Sequence, residues 1–272
     1  MFRNYMQLIK PIFRNRLWLT ADTRWKDKLL MYPVLLWCHC QMLFGKRKMH
    51  YLGGTFNFDN PATPLNMMLY PYEVTHRILR HTKHPIKDVL DVGGNIGQFS
   101  VTLAYFCKLR KLDIFEPNPD IVEMLRSNTG HLGKRVSIYN LALDVDSKSH
   151  QFHYEPGRSA TGSFISSNAS KNKNLRSLSI KTTSNPARHT GSRSYDLIKI
   201  DVEGHEIQAL AALKGIKTKY LFIEISSAYR KRNYEDSEIF NAISSLLGEY
   251  RLLYMTGYNS ESEIYEMLLE FI

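Results

Sequence analysis

Cysteine is scarce in this chain: three in 272 residues. Cys38, Cys40 and Cys107 are odd in number and lack the spacing of a disulfide framework, which points to a reducing, cytoplasmic setting. Cys38-His39-Cys40 has no second ligand pair at zinc spacing, so no metal centre is expected there. Long apolar runs are missing too. The one candidate, Leu29–Phe44 (LLMYPVLLWCHCQMLF), falls short of the ~20 residues of a spanning helix and holds Pro33, His39 and Gln41. No small-residue cleavage site follows it, which argues against a secretory signal. Lys26, Lys28, Lys46, Arg47 and Lys48 flank it. The favoured reading is a helix packed on the main domain; the other is a peripheral membrane contact through residues 1–52.

Acidic residues are rare at the N-terminal end. Residues 1–52 hold ten Lys/Arg against two Asp, so +8 of the chain's +10 sits there. The rest carries 26 basic and 24 acidic residues, a balance that does not suggest a nucleic-acid binder. Acids are absent again from 157–194, a Ser/Thr-rich stretch with seven Lys/Arg. It is longer than an ordinary connection and reads as a strand-containing excursion or a flexible loop, with a lid for an anionic acceptor as the functional reading. Asn168-Ala169-Ser170 matches a glycosylation sequon, a triplet that chance supplies often.

What is present is an alternation of strands and helices. His50–Asn60 reads as a hairpin turning at Gly53-Gly54, and Tyr72–His81 as a helix. Strands are expected at Asp88–Val92, Lys111–Phe115, Val136–Leu143, Tyr195–Val202 and Tyr220–Ile225. Helices are expected at Gln98–Leu109, Pro119–Asn128, His205–Leu213 and Glu238–Leu247. Arg251–Thr256 and Glu263–Phe271 read as a closing antiparallel pair. This pattern predicts a doubly wound, mostly parallel α/β sheet. The expected division is a basic extension with a hairpin over 1–71, then one domain over 72–272 interrupted by 157–194.

Two stretches carry chemistry. In VLDVGGNIGQFS (Val89–Ser100) a strand ends at Asp91–Val92, and Gly93, Gly94 and Gly97 lead into a helix. Glycines let the chain turn sharply and let its backbone approach a ligand. Glu116 ends the next strand, where an acid can accept both ribose hydroxyls of an adenosine. NAD and S-adenosylmethionine both fit so far. Asp91 favours the second, because a carboxylate suits a methionine ammonium and repels a pyrophosphate. Asn95, standing where a dinucleotide site has its middle glycine, favours it as well.

The second stretch is YDLIKIDVEGHE (Tyr195–Glu206). Ile198, Ile200 and Val202 alternate with Lys199, Asp201 and Glu203, placing ionisable groups on one face of a strand that should be buried. Lys199 has a plainer use in neutralising a neighbouring carboxylate. Asp201 or Glu203 could cap the following helix, and Glu206 is expected to face solvent at that helix's N-terminus.

VLDVGGNIGQFS, IFEPNP (114–119), LALDVD (141–146) and LIKIDVEGHE (197–206), in this order, resemble the FkbM family of S-adenosylmethionine-dependent methyltransferases. The resemblance runs from about Tyr72 onward. It implies a seven-stranded class I methyltransferase fold, its last strand antiparallel, and methyl transfer to a hydroxyl of a sugar, glycolipid, polysaccharide unit or polyketide-like product. It implies Asp91, Gly93, Gly94, Asn95 and Gly97 around the methionine moiety, Glu116 on the ribose, and Asn140 and Ala142 beside the adenine. Gly94 stands where alanine is usual, and glycine in its place is harmless on physical grounds. Methylating a hydroxyl needs a base. His205 leads on intrinsic pKa, with Asp201 and Glu203 positioning the acceptor or the cofactor, or serving as base if their pKa is raised. Mg²⁺ on Asp201, Glu203 and Glu224 is the metal alternative, ranked below metal-free catalysis. The competing readings are an NAD-dependent oxidoreductase on the same topology and a scaffold or membrane-surface protein with a vestigial fold.

Overall fold

The computed structural model describes residues 48–58, 63–155, 158–164, 175–226, 235–256 and 265–272. Leu29–Phe44, Cys38-His39-Cys40, most of the basic extension and the sequon at Asn168 lie outside the described residues.

Strands β1 (Lys48–Tyr51) and β2 (Gly54–Asn57) form the expected hairpin, with Tyr51 opposite Gly54. Leu52 (φ 46°) and Gly53 (φ 86°) both take the left-handed conformation that a two-residue turn requires. Helix α1 (Thr63–His81) begins earlier than the sequence suggested and contains Pro71.

The main sheet has seven strands. They are β3 (Asp88–Val92), β4 (Lys111–Phe115), β5 (Val136–Tyr139), β10 (Ser194–Ile200), β11 (Lys217–Ile225), β12 (Tyr250–Thr256) and β13 (Tyr265–Phe271). Their order is β12-β13-β11-β10-β3-β4-β5. β5, β4, β3, β10 and β11 run parallel, and β13 runs antiparallel to both neighbours. Helices α2 (Gln98–Phe106), α3 (Pro119–Thr129), α5 (Glu206–Ala212) and α6 (Asp236–Leu247) connect the strands. Leu90, Val92, Ile198, Ile200, Leu221 and Ile223 fill one side of the sheet and Val89, Leu112, Ile114, Leu197 and Phe222 the other. Burial on both faces is what a parallel strand demands of its sequence. α3 starts as its sequence directs: Asn118 Oδ1 accepts from the Asp120 N–H and Pro119 opens the first turn.

The stretch expected as one strand, Val136–Leu143, breaks after Tyr139, because β6 (Ala142–Leu143) leaves for another sheet. That second sheet, ordered β6-β9-β7-β8, adds β7 (Ser149–Glu155), β8 (Arg158–Ser163) and β9 (Arg176–Thr183). A short helix, α4 (Ala187–Thr190), leads back to β10. The described part of 157–194 therefore contains strands, with a small core of Ala142, Phe152, Tyr154 and Ile180. Strand β7 escaped the sequence reading because SHQFHYE alternates only at its end. Among the described residues no helix is long and apolar enough to cross a membrane.

Candidate active site

The ends of β3, β4, β10 and β11 meet at one edge of the main sheet, where open α/β folds leave a crevice for ligands. The turn after β3 is built for close packing. Gly93 (φ 81°) lies so near β10 that a Cβ would stand 1.8 Å from the Asp201 carbonyl oxygen. At Gly94 a Cβ would meet Ile114 Cγ2 at 2.2 Å, so the space an alanine would need is taken by Ile114 in this chain. Gly97 (φ 91°) is hemmed in by Leu125 and Thr129. Close packing against neighbouring strands and helices is thus a further reason for glycine here, beside the sharp turn and ligand approach.

Lys199 ties this turn to β10. Its Nζ donates to the Gly93 carbonyl at 3.0 Å and lies 3.3 Å from Asp91 Oδ1 and 3.2 Å from Asp201 Oδ2. Burial alone would lower the ammonium's pKa, but Asp201 and Asp91 outweigh it and hold it above the ordinary value. Asp91 is fully buried; its Oδ2 accepts from Ser100 Oγ at 2.6 Å, while Oδ1 has no hydrogen-bond partner. Glu116 stands across the turn, with Oε2 accepting from the Asn95 N–H and Oε1 from the Asn118 N–H. Burial pushes its carboxyl up to about 7, against those two hydrogen bonds and Lys199. Asn95 holds a left-handed φ of 49°. Asn140 Nδ2 donates to the carbonyls of Glu116 (2.9 Å) and Pro117 (2.8 Å), fastening the loop beyond β4, and Ala142 is buried in β6.

The acidic end of β10 separates into distinct environments. Asp201 keeps 27% of its side chain exposed beside Lys199. Glu203 has a left-handed φ of 50°, unusual for a residue with a side chain, and its carbonyl accepts from Ser163 Oγ of β8. Burial, with Asp201 and Glu206 repelling, pushes the Glu203 carboxyl up to about 8. Oxygens of Asp201, Glu203 and Glu224 lie within 4.8 Å of one another. Glu224 takes a hydrogen bond from Tyr70 of α1, and its β13 neighbour Glu266 pairs with Arg77 at 2.6 Å.

His205 packs against the second sheet. It is only 6% exposed, its Nε2 is 3.1 Å from Asp144 Oδ2, and its ring stacks on Phe164 with centroids 4.1 Å apart. Asp144 is pushed up by burial but pulled further down by the His205 contact. Glu206 does not face solvent. It is fully buried, because its Oε1 accepts from the Gly204 N–H at 3.0 Å and draws the carboxyl under the turn, and burial pushes it up to about 7. No side chain caps α5, whose N-cap is His205.

A family model described as "Methyltransferase FkbM domain" matches residues 91–253, more than half of the chain. The chain belongs to the FkbM methyltransferase family. This FkbM methyltransferase has the class I fold, with the one antiparallel strand, β13, inserted beside the edge. Among curated proteins it is similar to the AMB antimetabolite synthetase AmbE of Pseudomonas aeruginosa, at 35% identity over 71 residues. That match covers 26% of this chain and spans 3% of the relative's length. Solved structures similar to it include two further methyltransferases. A SAM dependent methyltransferase from Aquifex aeolicus has TM-score 0.46 and 15% identity, over 79% of this chain and 95% of that one. The putative methyltransferase yhhF from Escherichia coli has TM-score 0.47 and 9% identity, over 82% and 98%.

Of the two cofactors the sequence left open, the family takes S-adenosylmethionine, and the residues present fit it. Asp91 Oδ1 is a buried acceptor with the Lys199 ammonium 3.3 Å away, and each Glu116 oxygen retains a lone pair beyond its one backbone bond. Four of the participants were not assigned a site role from the sequence: Ser100, Asp144, Phe164 and Tyr70. Asp144 sits inside the LALDVD motif and could have been found there. Tyr70 and Phe164 carry no local signal, since each reaches the site only through tertiary packing.

Proposed function

We propose that this FkbM methyltransferase transfers a methyl group from S-adenosylmethionine to a hydroxyl of a carbohydrate-containing acceptor in the cytoplasm. The observation that carries the reading is the acidic strand end: Asp201 and Glu203 stand together beside the Gly93–Gly97 turn. When bound, the cofactor supplies an already activated sulfonium methyl. The chain's own task is then to orient the acceptor and remove its proton. Asp91, Asn95 and Glu116 would hold the cofactor's polar groups, with Asn140 and Ala142 beside its base. Asp201 accepts a hydrogen bond from the acceptor and orients its oxygen. Glu203 takes the proton, because a carboxyl raised to about 8 is a far better base near neutral pH than an ordinary one. His205, covered by Phe164 and held by Asp144, supports the Glu203 turn from behind. Lys199 already supplies a cation to Asp201, which keeps the metal-free reading ahead of Mg²⁺ on the same three acids.

Calorimetry should show binding of S-adenosylhomocysteine and none of NAD. Cell-envelope glycans incubated with the protein and methyl-labelled S-adenosylmethionine should gain one labelled methyl by mass. With that acceptor the wild-type rate should rise with pH through about 8, and Glu203→Gln should lose at least ~100-fold. Label appearing on nitrogen, or full activity in Glu203→Gln, refutes the assignment.

A further inference from the structure

The main sheet carries opposite charge at its two edges. Asp91, Glu116, Asp201 and Glu224 stand at or just past the ends of parallel strands, at the candidate site. The starts of all five parallel strands are cationic: Lys87 precedes β3, Arg110 precedes β4, Arg135 precedes β5, Arg193 precedes β10, and Lys217 opens β11. All five are exposed. With strands ~4.8 Å apart, they form a row roughly 20 Å across.

The acids beside this row are already engaged. Asp88 accepts from Arg110, and Asp196 accepts from the backbone N–H groups of Lys87 and Asp88. Even so, 72% of the Arg110 side chain stays exposed. An exposed acid, Glu249, lies only at the far end, before β12. Folding asks strand starts to be polar, not to be positive at five neighbouring strands.

We propose that this edge docks on an anionic phospholipid surface, holding the enzyme with its acidic catalytic edge turned away from the bilayer. The cations form a row along an edge, a shape suited to a plane of headgroups, and their long stems allow the charged ends to reach it. Tyr105, 59% exposed near the end of α2, lies where that helix returns to the same edge and can sit at headgroup level. The same chain carries Leu29–Phe44, an apolar stretch flanked by lysines, whose composition suits a membrane interface. A single-stranded nucleic acid would call for a track of stacking rings, and Tyr105 is the one exposed Tyr or Phe among the described residues.

The test sediments the full chain with vesicles of 70:30 phosphatidylcholine:phosphatidylglycerol and of phosphatidylcholine alone, at low and high salt. The expected result is binding to the anionic vesicles only, weakened by salt. The triple variant Lys87→Glu/Arg193→Glu/Lys217→Glu should bind at least about 100-fold more weakly, the scale implied by losing three surface cations. Its melting by circular dichroism should match the wild type. The Gln triple, folded by the same criterion, should give an intermediate loss, so the proposal does not depend on one variant. Wild-type-like vesicle binding by the folded triple variants would place the contact in residues 1–52 and overturn the proposal. So would absence of binding to anionic vesicles, or tighter binding of a 20-nucleotide single strand at the same salt.

Discussion

His205 Nε2 lies 3.1 Å from Asp144 Oδ2, and this buried contact joins the second sheet to the edge of the first that carries the candidate site. Asp144 follows β6, and Phe164, which follows β8, covers the imidazole. The His205 partner outweighs burial and holds Asp144 below the ordinary carboxylate range, so its stabilising effect is present above about pH 4 and fades as pH falls through the lowered value. Asp144→Ala should therefore cost about 1–3 kcal/mol at pH 7, the range for a buried polar group left without its partner. Urea unfolding at pH 7 and pH 3 checks this; a penalty that persists undiminished at pH 3 contradicts the linkage.

Lys199 is the cation of a buried cluster, and its removal leaves Asp91 and Asp201 facing each other without it. Lys199→Met should destabilise by about 3–5 kcal/mol, the scale for breaking a buried ion pair from one side. It should also abolish S-adenosylhomocysteine binding, because the Gly93 carbonyl loses its tether. A urea midpoint equal to wild type would show that the cluster holds nothing in place.

Glu206 behaves in the opposite sense to Asp144. Its folded pKa, about 7, exceeds the ordinary 4.5, so the folded state binds a proton more tightly and loses stability as pH rises between those values. Glu206→Gln keeps the acceptor for the Gly204 N–H and removes the charge. The variant should come close to wild type near pH 4.5 and be more stable by about 3 kcal/mol at pH 8, since each pKa unit corresponds to about 1.4 kcal/mol. Thermal melts across that range decide it, and a constant offset at all pH values would be the wrong result.

Gly94 is constrained by one side chain. Gly94→Ala should cost about 1–3 kcal/mol through overpacking against Ile114, and Ile114→Ala in the same chain should relieve much of that. A double-mutant cycle with simple additivity would mean that the alanine is accommodated some other way.

The motifs made the shared edge of the candidate site legible: the strands that carry Asp91, Glu116 and Asp201 end where the sequence placed their ends, because apolar runs mark which segments become buried strands. The sequence was less informative about what each polar group does once inside. Glu206 looked like a helix-start carboxylate on a solvated face, and only the fold of Val202–His205 shows it turned under. His205 was favoured on its intrinsic pKa, which says nothing of Phe164 lying over it. Phe164 lies 41 residues away along the chain, beyond what any local pattern can report. The break after Tyr139 was missed for a related reason, since a strand that changes sheets keeps the same alternation.

Strand β13 follows β12 in the chain yet lies between β12 and β11. Both neighbours are therefore synthesised before the strand that joins them, and until Tyr265–Phe271 arrives the apolar edge of β11 has no backbone partner from its own sheet. A chain that lacks Tyr265–Phe271 would present an open, adhesive strand edge to its surroundings, so the segment made after both of its neighbours is also the one that shields them from other chains.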